Sequence, residues 1–205
     1  MASTDLHKAL SEIDAIRGQI ARGAEFRGYG PATLTATGAL ALLAALLQAN
    51  LVKDPLHQVT AYLAIWVTTA VLSVAIISVE TIFRVRRLHS GIAFPMLQSA
   101  VEAFAPAIVA GLMLTVVLVR GAPAESWLLP GLWQVVFSLG VFASCRFLPR
   151  TTFMIGVWYL GCGLLYLTLG PGQYALSPWA MGLPFGLGQM LVAAALSADR
   201  RYRHG

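Results

Sequence analysis

Six long apolar runs, separated by short polar or glycine- and proline-rich stretches, dominate this sequence of 205 residues. They cover residues 31–50, 61–79, 96–119, 127–145, 151–169 and 177–196. Each run is close to the roughly 20 apolar residues that a helix needs to cross the hydrocarbon core of a bilayer. Only 11% of the residues are charged, whereas soluble domains carry about a quarter. The sequence therefore predicts an all-α, polytopic membrane protein with six transmembrane helices.

The lysines and arginines predict how these spans are oriented. If the N-terminus is placed in the cytosol, twelve of the 14 basic residues fall in cytosolic segments, and only Lys53 and Arg120 fall outside. Because basic residues concentrate in the cytoplasmic loops of membrane proteins, we expect both termini in the cytosol and a bacterial inner (cytoplasmic) membrane. Topology then explains the net charge of +5, so that nucleic-acid binding is not needed to account for it.

The segments outside the six spans are short. Residues 1–30 predict a cytosolic amphipathic helix and a flexible elbow, because apolar side chains recur there at the spacing of one helical face: Leu6, Leu10, Ile13, Ile16 and Ile20. Two interpretations of this face stay open: it lies on the bilayer or on the protein itself, or it docks a protein partner. Residues 31–196 form the predicted transmembrane domain, and residues 197–205 a basic cytosolic tail.

The sequence carries no motif for a metal, a haem or a catalytic group. His57 and His89 flank the second span at opposite ends, about 30 Å apart across the hydrocarbon, so they cannot ligate one haem iron. CxxC and HExxH spacings and a P-loop are absent from the sequence. We therefore expect no cofactor, no metal site and no enzymatic activity, and an enzyme acting on lipids is the weakest alternative.

Glu102 is the one acidic residue that these boundaries place inside a span, and Gln98 precedes it by one helical turn. Ionisable groups inside a span are costly and mark either structural pairs or functional sites. In the first case the carboxylate pairs with a basic residue at the inner surface, the candidates being Arg84, Arg87 and Arg146. In the second case Glu102, Gln98 and Gln189 form a polar site for a proton or a cation.

Proline occurs inside the third and sixth runs, and these prolines are predicted to break both spans. Pro106 follows Glu102, and Pro184 lies between Gly182 and Gly186. Interrupted helices at corresponding positions of two halves are typical of inverted-repeat transporters. The GxxxG spacing instead predicts close packing between helices.

Two functions follow from these features. The first is a membrane scaffold, accessory or regulatory subunit, which binds a protein partner or a second copy of itself through the N-terminal helix or the transmembrane surface. The alternative is a small transporter or channel that uses Glu102 and the two proline-broken spans. In either case membrane lipid surrounds the protein.

Overall fold

The computed structural model describes residues 30–88, 93–145, 151–172 and 174–204, with side chains for residues 30–83, 98–145, 152–172 and 174–194. These residues form six α-helices, one short 3-10 helix (Pro123–Leu128) and no strand. The α-helices are α1 (Pro31–Leu51), α2 (Val59–Leu88), α3 (Ala93–Gly121), α4 (Leu129–Ser144), α5 (Thr151–Thr168) and α6 (Pro178–His204). The all-helical prediction is therefore confirmed for the described chain.

Consecutive helices run in opposite directions, so the bundle has two ends. We call the end at which α1 begins the proximal end, and the end at which α1 stops the distal end. At the proximal end, the carboxylate of Glu80 accepts a hydrogen bond from the backbone N–H of Gly30, at 3.3 Å. Because helix N-termini carry partial positive charge, this acid on α2 stabilises the start of α1.

Around the bundle the helices neighbour one another in the order α2, α1, α6, α5, α4, α3. The most extensive interfaces join α1 to α6, α4 to α5 and α3 to α4. The pairs α5–α6 and α2–α3 touch much less, although each is consecutive in the chain. The described helices are therefore packed less closely at two places in the bundle, between α5 and α6 and between α2 and α3.

Glycines permit the closest of these interfaces. A methyl group added to Gly182 would lie 2.5 Å from Cβ of Ala45, and one added to Gly186 would lie 2.7 Å from the side chain of Leu42. Both glycines of the GxxxG spacing therefore face α1, as the packing interpretation predicted. Gly131 and Gly163 bring α4 and α5 together in the same way.

Aromatic rings fill the middle of the bundle. Phe137 of α4 lies at the centre, in edge-to-face contact with Phe104, Tyr159 and Phe185, with ring centroids 4.8 to 5.5 Å apart. Such edge-to-face pairs are a favoured aromatic geometry and add to the packing of a core. The rings of α3, α4, α5 and α6 thus meet where a central conduit would have to pass.

Several boundaries differ from the sequence expectation. The prediction that proline breaks the third and sixth spans is wrong, because α3 and α6 continue as helices through Pro106 and Pro184. The helix α6 continues through the predicted tail to His204. The helix α2 continues to Leu88, about two turns past its apolar run, as the one-turn spacing of Glu80 and Arg84 indicates. Glu80 also falls within an apolar helical stretch, Val59–Phe83, so Glu102 is not the only acid in a candidate span.

Four of the described helical stretches are long and apolar enough to cross a membrane: Pro31–Leu51, Val59–Phe83, Gln98–Gly121 and Pro123–Ser144. The shorter apolar stretch Thr152–Thr168 accompanies them. The architecture is therefore that of an integral membrane protein.

Candidate functional site

A fully buried glutamine ties three elements together near the distal end. The amide nitrogen of Gln48 on α1 donates to the carbonyl oxygen of Leu176, at 2.7 Å. Its amide oxygen accepts a hydrogen bond from Nε1 of Trp66 on α2, also at 2.7 Å. Most buried amide groups are hydrogen-bonded, and these two bonds hold α2 and the loop before α6 against α1.

The loop residue that Gln48 contacts has an unusual backbone. Leu176 has a φ of +54°, in the left-handed region that residues with a β-carbon rarely adopt. Its side chain is nevertheless fully buried in a cluster with Ala45, Tyr62 and Met181. Burial of the leucine and the hydrogen bond to its carbonyl together hold this conformation.

A second buried glutamine, Gln134, forms a hydrogen bond with the backbone of α6 near Pro184. Pro184 has no N–H, so the carbonyl of Ala180, four residues earlier, lacks its usual partner within the helix. The amide nitrogen of Gln134 on α4 donates to that carbonyl at 2.9 Å and to the carbonyl of Pro130 at 3.1 Å. A side chain on a neighbouring helix thus replaces the lost hydrogen bond, and α6 continues unbroken.

Aromatic side chains surround these two amides. Tyr62 of α2 stacks on Trp133 of α4 with ring centroids 6.1 Å apart. The indole N–H of Trp133 donates to the hydroxyl of Thr115 on α3, at 2.8 Å. The distal half of the bundle is therefore held by hydrogen bonds between helices as well as by packing.

Four buried polar atoms have no hydrogen-bond partner in the described part of the chain: Tyr62 Oη, Ser126 Oγ, Gln134 Oε1 and Tyr159 Oη. Three of these residues belong to the same distal half as Gln48. An unpaired buried polar atom costs about 1–3 kcal/mol, and internal water commonly supplies the missing hydrogen bond.

The predicted polar pair on α3 exists but points outward. The amide nitrogen of Gln98 donates to the carboxylate of Glu102 at 2.8 Å, and both side chains are exposed. Among the described side chains, Gln98 is the polar partner of this carboxylate. The side chains of Arg84 and Arg87, and all of Arg146, lie outside the described residues, so the predicted ion pair stays a prediction.

Glu102 also lies close to the proximal end of the bundle. The hydroxyl of Ser144, the last residue of α4, donates to the carbonyl of Ala100 at 3.0 Å. Glu102 is therefore only about 3 Å further along the helix axis than Ala100, and Arg120 is about 27 Å beyond it. The hydrocarbon core of a bilayer is about 30 Å thick, so a span that runs from Glu102 to Arg120 would place the carboxylate near the boundary of that core.

Gln189, the third member of the predicted polar site, lies elsewhere in the bundle. Its Cβ would be 3.1 Å from a methyl group added to Gly38, so this residue of α6 faces α1. The helices α3 and α6 are not neighbours around the bundle. The structure thus brings Gln98 and Glu102 together and places Gln189 apart from them.

The remaining predicted sites have few described residues. The apolar face of the N-terminal helix (Leu6, Leu10, Ile13, Ile16 and Ile20) and His89 lie outside the described chain. In the loop before α2, the backbone N–H and the ring of His57 contact the carboxylate of Asp54, and these hydrogen bonds lower the pKa of that exposed aspartate. Within the described residues, no three His, Cys, Asp or Glu side chains lie close enough together to hold a metal ion.

Comparison of the chain with protein-family models, with curated proteins and with solved structures found no match.

Proposed function

We propose that this protein is a non-enzymatic scaffold, accessory or regulatory subunit of a membrane, and that the exposed surfaces of α2 and α3 bind a membrane-protein partner. The main support for the proposal is that the candidate membrane spans differ in the share of their residues that is buried. The apolar stretches of α1 and α4 bury 39% and 44% of their residues, whereas that of α2 buries 17% and that of α3 none. Of the four candidate spans, α2 and α3 thus leave the largest share of their residues uncovered by the described chain.

Physical chemistry favours a protein rather than lipid alone on this surface. In a bilayer, helices associate through close packing and hydrogen bonds rather than through the hydrophobic effect. The helices α2 and α3 contact each other little, so a partner helix on their exposed side would add contacts to both. Small and polar residues are enriched at such interfaces. At the proximal end, the exposed side of α3 carries Gln98, Glu102 and Ala105 in successive turns, and large apolar residues follow them toward the distal end.

The alternative, a transporter or channel, has less support. Its predicted polar residues do not converge, because Gln98 and Glu102 face outward whereas Gln189 faces α1. The rings around Phe137 occupy the centre of the bundle. A lipid-acting enzyme, the weakest alternative, finds no cluster of catalytic groups among the described side chains that would favour it.

Affinity purification from native membranes tests the proposal. Ala105→Trp adds bulk to the exposed side of α3, and Leu164→Trp adds it to an exposed position of α5, where Leu164 is 50% accessible. Overpacking an interface costs about 1–3 kcal/mol, and about 1.4 kcal/mol is a tenfold loss of affinity. We expect Ala105→Trp to lower recovery of the partner by about tenfold, and Leu164→Trp to leave it unchanged. Equal recovery with both variants would refute the proposal.

A further inference from the structure

The six helices divide into two groups of three according to how extensively they pack on one another. Around the bundle, α1 lies between α2 and α6, and α4 lies between α3 and α5. The interfaces that join these groups, α5 with α6, α2 with α3 and α4 with α6, are all smaller than any interface within a group. We call the groups the α1 unit (α1, α2 and α6) and the α4 unit (α3, α4 and α5).

Each unit is held together by close packing and by hydrogen bonds between its helices. In the α1 unit, the glycines of the GxxxG spacing pack against α1, and Nε1 of Trp66 on α2 donates to the amide oxygen of Gln48 on α1. In the α4 unit, Gly131 and Gly163 bring α4 and α5 into close contact. Contacts of these two kinds hold helices together in a bilayer, so we expect each unit to behave as a rigid body.

The two units contact each other near the distal end and at mid-depth. At the distal end, Tyr62 of α2 stacks on Trp133 of α4, and Leu129 at the start of α4 is fully buried in the same cluster as Tyr62. At mid-depth, the ring of Phe185 on α6 packs against that of Tyr159 on α5, with centroids 4.7 Å apart. The distal cluster therefore joins both units.

Nearer the proximal end, the hydrogen bonds described above join helices of the same unit. Gly30 and Glu80 connect α1 to α2 within the α1 unit. Ser144 and Ala100 connect α4 to α3 within the α4 unit. The bonds at this end thus hold each unit together without tying one unit to the other.

The boundary between the units also carries unpaired polar atoms. Tyr62, Gln134 and Tyr159 each contact the other unit, and each has a buried polar atom without a partner in the described part of the chain. Few buried groups in native proteins are unpaired, and each one calls for an explanation. The hydroxyl of Tyr159 lies against α6, 3.2 Å from the position of a methyl group added to Gly188. Separation of α5 from α6 at this level would expose that hydroxyl to water.

From this geometry we propose that the two units rotate about their distal contacts, so that their proximal ends separate and rejoin. Hinge motions of this kind move packed groups of helices while the packing inside each group is kept. The described structure is then the closed arrangement, in which Tyr159 is fully buried. In the open arrangement its hydroxyl forms a hydrogen bond with water.

The motion would give a partner a way to act on this protein. The helices α2 and α3 belong to different units, so a protein bound across both would favour one arrangement over the other. This consequence rests on the function proposed above, whereas the motion itself does not. Measurements on the purified chain without a partner therefore test the motion alone.

Spin labels at exposed positions test the motion in the full chain. Cys145 and Cys162 are first replaced by alanine, and labelled cysteines are introduced at Met154 of α5 and Leu191 of α6, both exposed and proximal to the ring of Phe185. Distances are measured by double electron–electron resonance in phospholipid nanodiscs. We expect two distances, a few ångströms apart, for this proximal pair.

Two control pairs separate the hinge from general looseness of the bundle. Leu165 and Leu183 are exposed positions on the distal side of the same two helices, and Met154 with Val101 lies within the α4 unit. We expect a single narrow distance for each control pair. A single narrow distance for the proximal pair, or equal broadening of all three pairs, would overturn the proposal.

Removal of one unpaired hydroxyl gives an independent readout. Tyr159→Phe keeps the ring beside Phe185 and removes the hydroxyl that is unpaired only in the closed arrangement. We expect the ratio of closed to open populations to rise about tenfold. Tyr174→Phe removes an exposed hydroxyl and should leave the ratio unchanged. A ratio that does not rise in Tyr159→Phe, or that rises equally in both variants, would contradict the open arrangement proposed for Tyr159.

Discussion

Replacement of Gln48 by leucine removes two hydrogen bonds between elements while it keeps a side chain of similar size. The substitution leaves the indole N–H of Trp66 and the carbonyl of Leu176 buried without their partner. Hydrogen bonds between membrane helices contribute on average about 0.6 kcal/mol each, and at most about 1.7. For two bonds we expect the free energy of unfolding to fall by about 1–3 kcal/mol.

The measurement is reversible unfolding in mixed micelles with increasing mole fraction of dodecyl sulfate, followed by tryptophan fluorescence or circular dichroism. Asn50→Leu is the matched control, because Asn50 is exposed and, within the part of the chain that the structure describes, its side chain bonds only to the carbonyl of Leu46 in the same helix. Surface changes of this kind usually stay within about 0.5 kcal/mol. If Gln48→Leu destabilises the protein no more than Asn50→Leu does, the two hydrogen bonds of Gln48 do not stabilise the fold as expected.

A double-mutant cycle separates the hydrogen bond from a general loss of packing. Trp66→Phe removes the indole N–H and keeps an aromatic ring in the core. Residues in direct contact show coupling energies of about 0.5–3 kcal/mol, so the two substitutions should not add. A coupling energy near zero would show that the contact of 2.7 Å between Gln48 and Trp66 does not contribute to stability.

Three further predictions concern the helix interfaces and the proposed surfaces. Gly182→Leu places a side chain against α1, where even a methyl group would be 2.5 Å from a neighbouring Cβ, and should destabilise the fold by about 1–3 kcal/mol. Gly161→Leu, at a helical glycine with open space around it, should have little effect in the same unfolding assay. Glu102→Gln should leave the proton permeability of proteoliposomes at the wild-type value, and a lowered permeability would revive the transporter. Deletion of residues 1–28 should leave the helices inserted and should reduce recovery of a partner that docks on the N-terminal helix; unchanged recovery would remove that helix from partner binding.

The helical architecture could be predicted because the lipid environment dictates it. Each backbone polar group must be satisfied inside a span, so a long apolar run has to form a helix. The GxxxG spacing of Gly182 and Gly186 likewise predicted a close interface, and the structure places both glycines against α1. In these cases the local sequence alone determines the physical outcome.

The buried amides could not be assigned in this way. Gln48 and Gln134 are polar residues within apolar runs, which is a signal, but their partners are 128 and 46 residues away in the chain. Pro184 predicted a broken helix because the sequence does not show that Gln134 supplies the missing hydrogen bond. Similarly, the spacing of Gln98 and Glu102 predicted their contact, whereas only the positions of the other helices show that the pair faces outward.

We propose that the exposed surfaces of α2 and α3 contact another protein in the membrane. The most direct test of this proposal places a photo-crosslinking amino acid, one position at a time, at Val74 of α2 and Val109 of α3, and at Leu164 of α5 and Leu191 of α6, four exposed positions. After illumination of native membranes, we expect protein adducts of discrete mass from the first two positions and lipid adducts alone from the other two. Protein adducts from α5 and α6 with none from α2 and α3 would contradict the account.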